Sequence, residues 1–244
     1  MDFIKRSFGT QSKAVSYDRE LREYMIGVFG NMSLSLIITG IISFLITYHP
    51  SIMSLFYAQT ATGYGLSGLG WLATFAPLVF VMVFYYKIST MSANTARLML
   101  WVYSALLGVS LSPIFNVYTH ESLARSFFIA SSVFAAMCIY GYTTKRDLTS
   151  FGSFLVMGLI GVLFTSLVNM FLQSPAMAFV TSLITVIVFT GLTAYDVQRI
   201  VSIYYRMPAS EARDKAAVLG ALSLYMDFIN LFLSMLRLFG DRKH

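Results

Sequence analysis

Asp196 and Asp227 are the only acidic residues of this chain set inside apolar stretches, and both fall in its last third. A carboxylate in hydrocarbon costs about 3 kcal/mol or more, so it turns to the protein interior, finds a partner and marks an ion or proton pathway. If the two meet, they do not both stay ionised cheaply in a low dielectric, and they share one proton. The pair is then a pH sensor. Holding one proton, it joins two helices through a carboxyl-to-carboxylate hydrogen bond; holding none, it repels itself and releases whatever those helices occlude. Carboxylate oxygens also suit a hard cation such as calcium.

Separate partners are the alternative. Arg199 or water would satisfy Asp196, and Ser223 or Asn230 would satisfy Asp227 from one turn away. Arg97 is a candidate counter-charge that would hold one aspartate ionised, although a solvated basic residue at a helix start explains it equally well.

The elements that must position these groups are membrane spans. Of 244 residues 57% are apolar and only 11% charged, against roughly 25% charged in a soluble domain. Tyr24 to Tyr86 and Leu148 to Tyr195 contain no Asp, Glu, Lys or Arg, and each run holds two spans of about 20 residues. Breaking the apolar runs at Pro, Gly and charge predicts seven helices, over 24–48, 69–86, 98–118, 126–143, 151–172, 177–200 and 216–238. The fold class is all-α, a polytopic bundle in a lipid bilayer, with residues 1–23 as a polar N-terminal tail and 24–240 as one membrane domain. No cleavable signal peptide is apparent in the tail. Asp227 lies about 15 Å from one face and Asp196 about 6 to 12 Å from the same face, counting ~1.5 Å per residue, so their depths differ by several Å.

Charge orients the bundle. With the N-terminus inside, thirteen Lys and Arg fall on the cytoplasmic side; Arg125, Arg237, Arg242 and Lys243 fall on the other, so the positive-inside rule predicts N-terminus in and C-terminus out. The basic residues lie in short connections and not along one soluble face, which argues against nucleic acid as a partner. Ser104, Gly108 and Ser112, and Gly158 with Gly161, have the spacing of close helix packing. Asn31, Asn116, Asn169 and Asn230 are placed for interhelical hydrogen bonds or for lining a pore, and Pro77 and Pro113 for kinks. Cys138 is the only cysteine and reads as a packing thiol. His49, His120 and His244 are scattered, and no metal-ligand spacing, phosphate loop or nucleophile motif calls for a cofactor.

GLTAYDVQRI (Gly191 to Ile200) and LGALSLYMDFINLFLSMLRLFG (Leu219 to Gly240), supported by RLMLWVYSALLGVSLSPIF (Arg97 to Phe115) and GYTTKRDLTSFGSF (Gly141 to Phe154), resemble the bacterial inner-membrane members of the Bax inhibitor-1, or transmembrane BAX inhibitor motif, family. The resemblance implies a seven-helix bundle with the seventh helix central. It implies a pH-sensitive calcium leak gated by paired aspartates on helices six and seven, which map onto Asp196 and Asp227, with calcium as the permeant ion. It also implies an arginine between helices two and three beside the first aspartate, a place for which this chain offers Lys87 and Arg97. One branch of the family is associated with binding and modulating a membrane-embedded protease, which makes such a protease the alternative partner. An intramembrane aspartyl protease is disfavoured, because Leu224-Tyr225-Met226 precedes Asp227 where that chemistry's second aspartate follows Gly-x-Gly, and its Pro-Ala-Leu signature is absent.

Overall fold

The computed structural model describes the backbone of residues 2–60 and 63–243 and the side chains of 19–57, 65 and 67–243. Its elements are α1 (Asp2–Tyr48), α2 (Pro50–Phe56), β1 (Tyr57–Thr60), β2 (Gly63–Leu66), α3 (Gly68–Lys87), α4 (Ala93–Leu111), α5 (Ile114–Val117), α6 (His120–Thr143), α7 (Thr149–Leu172), α8 (Pro175–Arg206) and α9 (Glu211–Phe239). The two strands form one short antiparallel hairpin with Tyr57 opposite Leu66. Among the described residues seven helical segments are long and apolar enough to cross a bilayer: Arg19–Tyr48 of α1, α3, Ala93–Val117 (α4 with α5), α6, α7, α8 and α9. The fold is therefore an all-α seven-span bundle. The basic side chains expected in the N-terminal tail, Lys5, Arg6 and Lys13, lie outside the described residues, as does His244.

Several helices run past their expected ends, for local reasons. Ser92 accepts from the Thr95 amide and starts α4 at Ala93, and Thr119 accepts from the Ser122 amide and starts α6 at His120; such caps satisfy amides that a helix N-terminus leaves open. Beyond residue 200, α8 continues to Arg206 because Val197, Ile200 and Tyr204 keep burying one face. Pro208 then ends the segment, and α9 begins with Glu211 and Asp214 in its first turn, where acidic side chains oppose the helix dipole favourably. The third span is broken between Leu111 and Ile114, at Ser112 and Pro113, whereas α3 runs through Pro77.

Helix α9 is the axis of the bundle. Its most apolar window is 56% buried, against 44% for α8 and 6% for α7. Val218, Ala221, Leu222, Leu224, Tyr225 and Leu231 are fully enclosed there. In α7 the large side chains instead face outward, as they do where lipid is the solvent. The first span is stitched to α4 and α9 by hydroxyls. Thr39 Oγ1 lies 2.9 Å from the Ser104 carbonyl and 2.6 Å from the Tyr225 hydroxyl. The Ser35 carbonyl of its own helix is equally close at 2.9 Å; with its one proton facing these carbonyls, Thr39 accepts from Tyr225. Two turns on, Thr47 Oγ1 lies 2.8 Å from the Ser112 carbonyl and 2.8 Å from the Ser43 carbonyl of its own helix, between which it shares its proton. Between these bonds a Cβ on Gly108 would stand 2.8 Å from the Thr39 carbonyl oxygen, so the expected close approach through Ser104, Gly108 and Ser112 is present.

The chain leaves the bundle at the end where α1 finishes. Lys243 N donates to Val117 O at 2.9 Å, Thr119 N to Asp241 O at 3.1 Å, and Arg125 pairs with Asp241 at 3.0 Å. Tyr48 and His120 meet at the same end, 2.9 Å apart. At the opposite end Tyr204 donates to Glu20 at 3.3 Å. The seventh segment thus runs the full length, and α1 starts and α9 finishes at opposite ends of the bundle.

Gly108→Leu should force α1 from α4 and cost about 1 to 3 kcal/mol, read as a lower thermal midpoint in detergent. Gly161→Leu, at a site with no atom within 4 Å of an added Cβ, should leave that midpoint unchanged.

Candidate functional site

Tight contacts fix the turn of α8 that carries Asp196. Gly141 of α6 abuts the Ala194 backbone, and Gly152 of α7 abuts the Tyr195 ring. Two residues beyond Asp196, Gln198 accepts from the Leu148 amide at 2.8 Å and donates to the Arg146 carbonyl at 2.7 Å, so the α6–α7 connection is tied to the same stretch. No larger residue fits at Gly141 without separating the backbones, which is why this α8 turn lies so deep in the bundle.

Helices α8 and α9 are antiparallel, and a Cβ on Gly220 would stand 2.8 Å from Ile200. Counting from that contact, Asp196 is level with Leu224 and Asp227 with Thr193. The two carboxylates face the same space one helical turn apart, about 4.5 Å along the axis. The offset expected from the span boundaries therefore persists in the longer helices.

Their surroundings differ. Asp227 is only 4% exposed, and its Oδ2 has no hydrogen-bond partner among the described residues. Asn230, one candidate partner, donates to the Met226 carbonyl at 2.8 Å. Ser223, the other, interacts with Asp196 and with the Tyr85 hydroxyl of α3. Asp196 is half-buried, and Arg199 acts on it as a nearby cation. Asp196 acts on Asp227 as a like charge.

One cavity joins the pair. It has a volume of about 640 Å³ and is walled by α3, α4, α7, α8 and α9, with Asp196, Asp227, Ser223, Asn230, Arg199 and Arg237 among its lining. A second cavity, about 130 Å³, lies against Tyr85, Ile203 and Ala216. Asp196, Arg199 and Ser223 line both, so these three side chains form the partition between them. Asp227 lines only the larger.

Arg97 donates to Asn94 at 3.3 Å and lines neither cavity, and Lys87 stands over the Tyr86 ring at 6.0 Å and lines neither. The basic residue beside Asp196 is Arg199, which shares its face because three residues make nearly one helical turn. Sequence spacing contained that signal. It contained none for Tyr85, which reaches the site from another helix. Of the four span asparagines only Asn230 lines the larger cavity. Asn31 bonds its own helix at Gly27, Asn116 donates to Met53, and Asn169 accepts from the Ser174 amide at the end of α7. Cys138 is buried and free, as a packing thiol would be. Among the described residues no three His, Cys, Asp or Glu converge, and calcium takes about six to eight oxygens when it is held firmly.

The family described as "Inhibitor of apoptosis-promoting Bax1" matches residues 21–244. An uncharacterized protein of Rickettsia prowazekii is 43% identical over 243 residues, covering 100% of this chain and 99% of its own length. The protein named "Inner membrane protein YbhL" of Escherichia coli K12 is 40% identical over 225 residues, 91% of this chain and 93% of its own. An uncharacterized protein of Borreliella burgdorferi is 38% identical over 227 residues, 91% of this chain and 93% of its own.

A buried carboxylate oxygen without a partner costs about 1 to 3 kcal/mol. Asp227→Leu should therefore raise the thermal midpoint of the purified protein. A lowered midpoint would show that the carboxylate holds the bundle together and is not kept at the expense of stability.

Proposed function

The chain belongs to the Bax inhibitor-1 family, and we propose that it is a pH-sensitive cation leak, with calcium as the permeant ion, gated by Asp196 and Asp227. The observation that carries this reading is the shared 640 Å³ cavity, which receives both carboxylates and is separated from a second cavity by Asp196, Arg199 and Ser223. A path that crosses that partition passes both acids. Their field attracts a cation and repels an anion, as rings of Asp and Glu do in cation pores.

The proposed gate works by proton count. With one proton between them the acids draw together, and α8 and α9 stay closed on the partition. When that proton leaves, two negative charges about one turn apart repel, and the low dielectric makes that repulsion strong. The helices part, and the two cavities join. Leak therefore rises as pH rises through the titration of the pair and falls as the pair takes up its proton. Arg199, at the partition beside Asp196, supplies the positive charge nearest the pair.

The positive-inside rule applied to the basic connections favours a cytoplasmic α8–α9 turn and N-terminus, and the E. coli relative's name supports an inner-membrane location for this chain. The cytoplasmic side is then that of the smaller cavity.

Calcium flux into proteoliposomes, scanned over pH, is the test. Wild type should show flux that rises with pH, and Asp196→Asn and Asp227→Asn should each abolish or displace that dependence. Absence of flux above empty liposomes at every pH would exclude the leak and favour a non-conducting regulator that binds a membrane protease.

A further inference from the structure

On the face of α9 opposite Asp227 lies a separate cleft of about 220 Å³. Phe228 and Phe232 of α9 form its floor, Gly40 and Ser43 of α1 one wall, and Phe127 of α6 the other, with Phe115 at its end. Asp227 and Phe228 are adjacent in sequence and about 100° apart around the helix, so the two cavities back onto each other through the axis of the bundle.

The lining is hydrocarbon and aromatic apart from the α1 hydroxyls. A dry apolar space of ~150 Å³ already takes a benzene-sized molecule, and this cleft is larger. It opens beside Gly40, where an added Cβ would meet no atom within 4 Å, and beside Phe127, which is 43% exposed. Both belong to membrane spans, so the medium at the opening is lipid and the available occupant is an acyl chain. Ser43 adds a polar element: it is 3% exposed, and its hydroxyl has no partner among the described residues.

The rim supplies a charge that distinguishes one lipid from another. Lys243 Nζ donates to the carbonyl of Phe115, itself a lining residue, at 2.8 Å. Arg242 and Lys243 are both exposed there. Of the nearby acids, Asp241 is paired with Arg125 at 3.0 Å, and Glu121 is exposed in the first turn of α6. Cations at the end of a span attract anionic headgroups.

We propose that this cleft holds one acyl chain of an anionic phospholipid, seated between α1 and α6 against Phe228 and Phe232, with its phosphate at Arg242 and Lys243. The chain end lies against the centre of α9, and an ester carbonyl near the mouth accepts from Ser43. The site is independent of ion conduction: it stands or falls whether or not the protein leaks calcium.

The test is photolabelling of the whole protein in vesicles of phosphatidylglycerol or of phosphatidylcholine, each doped with the same lipid carrying a diazirine in its acyl chain. In phosphatidylglycerol, label should concentrate on residues 36–43 and 228–232. Gly40→Phe should reduce it severalfold while label on the lipid-facing side of α7 stays constant. That variant places a ring in open space, and an unchanged thermal midpoint verifies its fold. Arg242→Gln with Lys243→Gln should lower cleft labelling by phosphatidylglycerol to the phosphatidylcholine level. Cleft labelling that Gly40→Phe leaves intact, or that is as strong with phosphatidylcholine in the wild type, would overturn the proposal.

Discussion

A carboxylate enclosed at the centre of a membrane bundle, with one oxygen unbonded among the described residues, is the constraint on which this structure turns. Asp227 sits on the most buried helix, at 4% exposure. Nothing in the packing requires an acid there, since Leu would fill similar space without the desolvation cost. Its carboxylate shares a cavity with Asp196, whose negative charge acts on it. On the proposed reading, an acid kept under those terms responds to protons.

The remaining helices make that arrangement rigid on one side and yielding on the other. Small residues at Gly141, Gly152 and Gly220 let α6, α7 and α9 close on α8, and the Thr39–Tyr225 bond pins α1 and α4 to the axis. By contrast, the partition between the two cavities rests on three polar side chains and on Tyr85, at the end of the sparsely buried α3. Packed interiors shift between discrete arrangements more readily than they deform. On the proposed reading, the helices part there, where the contacts are polar.

Much of this was legible in the sequence. Charge-free runs and the breaks between them predict seven spans, and the isolation of Asp196 and Asp227 picks out the two acids that line the larger cavity. The small-residue spacing around Gly108 marks a real helix contact. What could not be read has physical causes. Helix ends depend on caps and on burial, so α8 runs on to Arg206 for the sake of Tyr204 and Ile200. Partners supplied by other helices depend on rotation about each axis, which sequence does not state; Tyr85 belongs to the site and Arg97 does not line it for that reason. Asn31 and Asn169 show the converse, since a polar residue in a span satisfies itself locally as readily as it lines a path, and Asn116 instead bonds across to Met53 of α2.

Infrared difference spectroscopy of the protein in lipid, following the carbonyl band of protonated carboxyl groups across pH, addresses the central claim most directly. The account predicts one band that disappears over the same pH interval in which calcium leak appears, and that is displaced when either Asp196 or Asp227 is changed to Asn. Two carboxyl groups that titrate independently, each unmoved by substitution of the other, would contradict it.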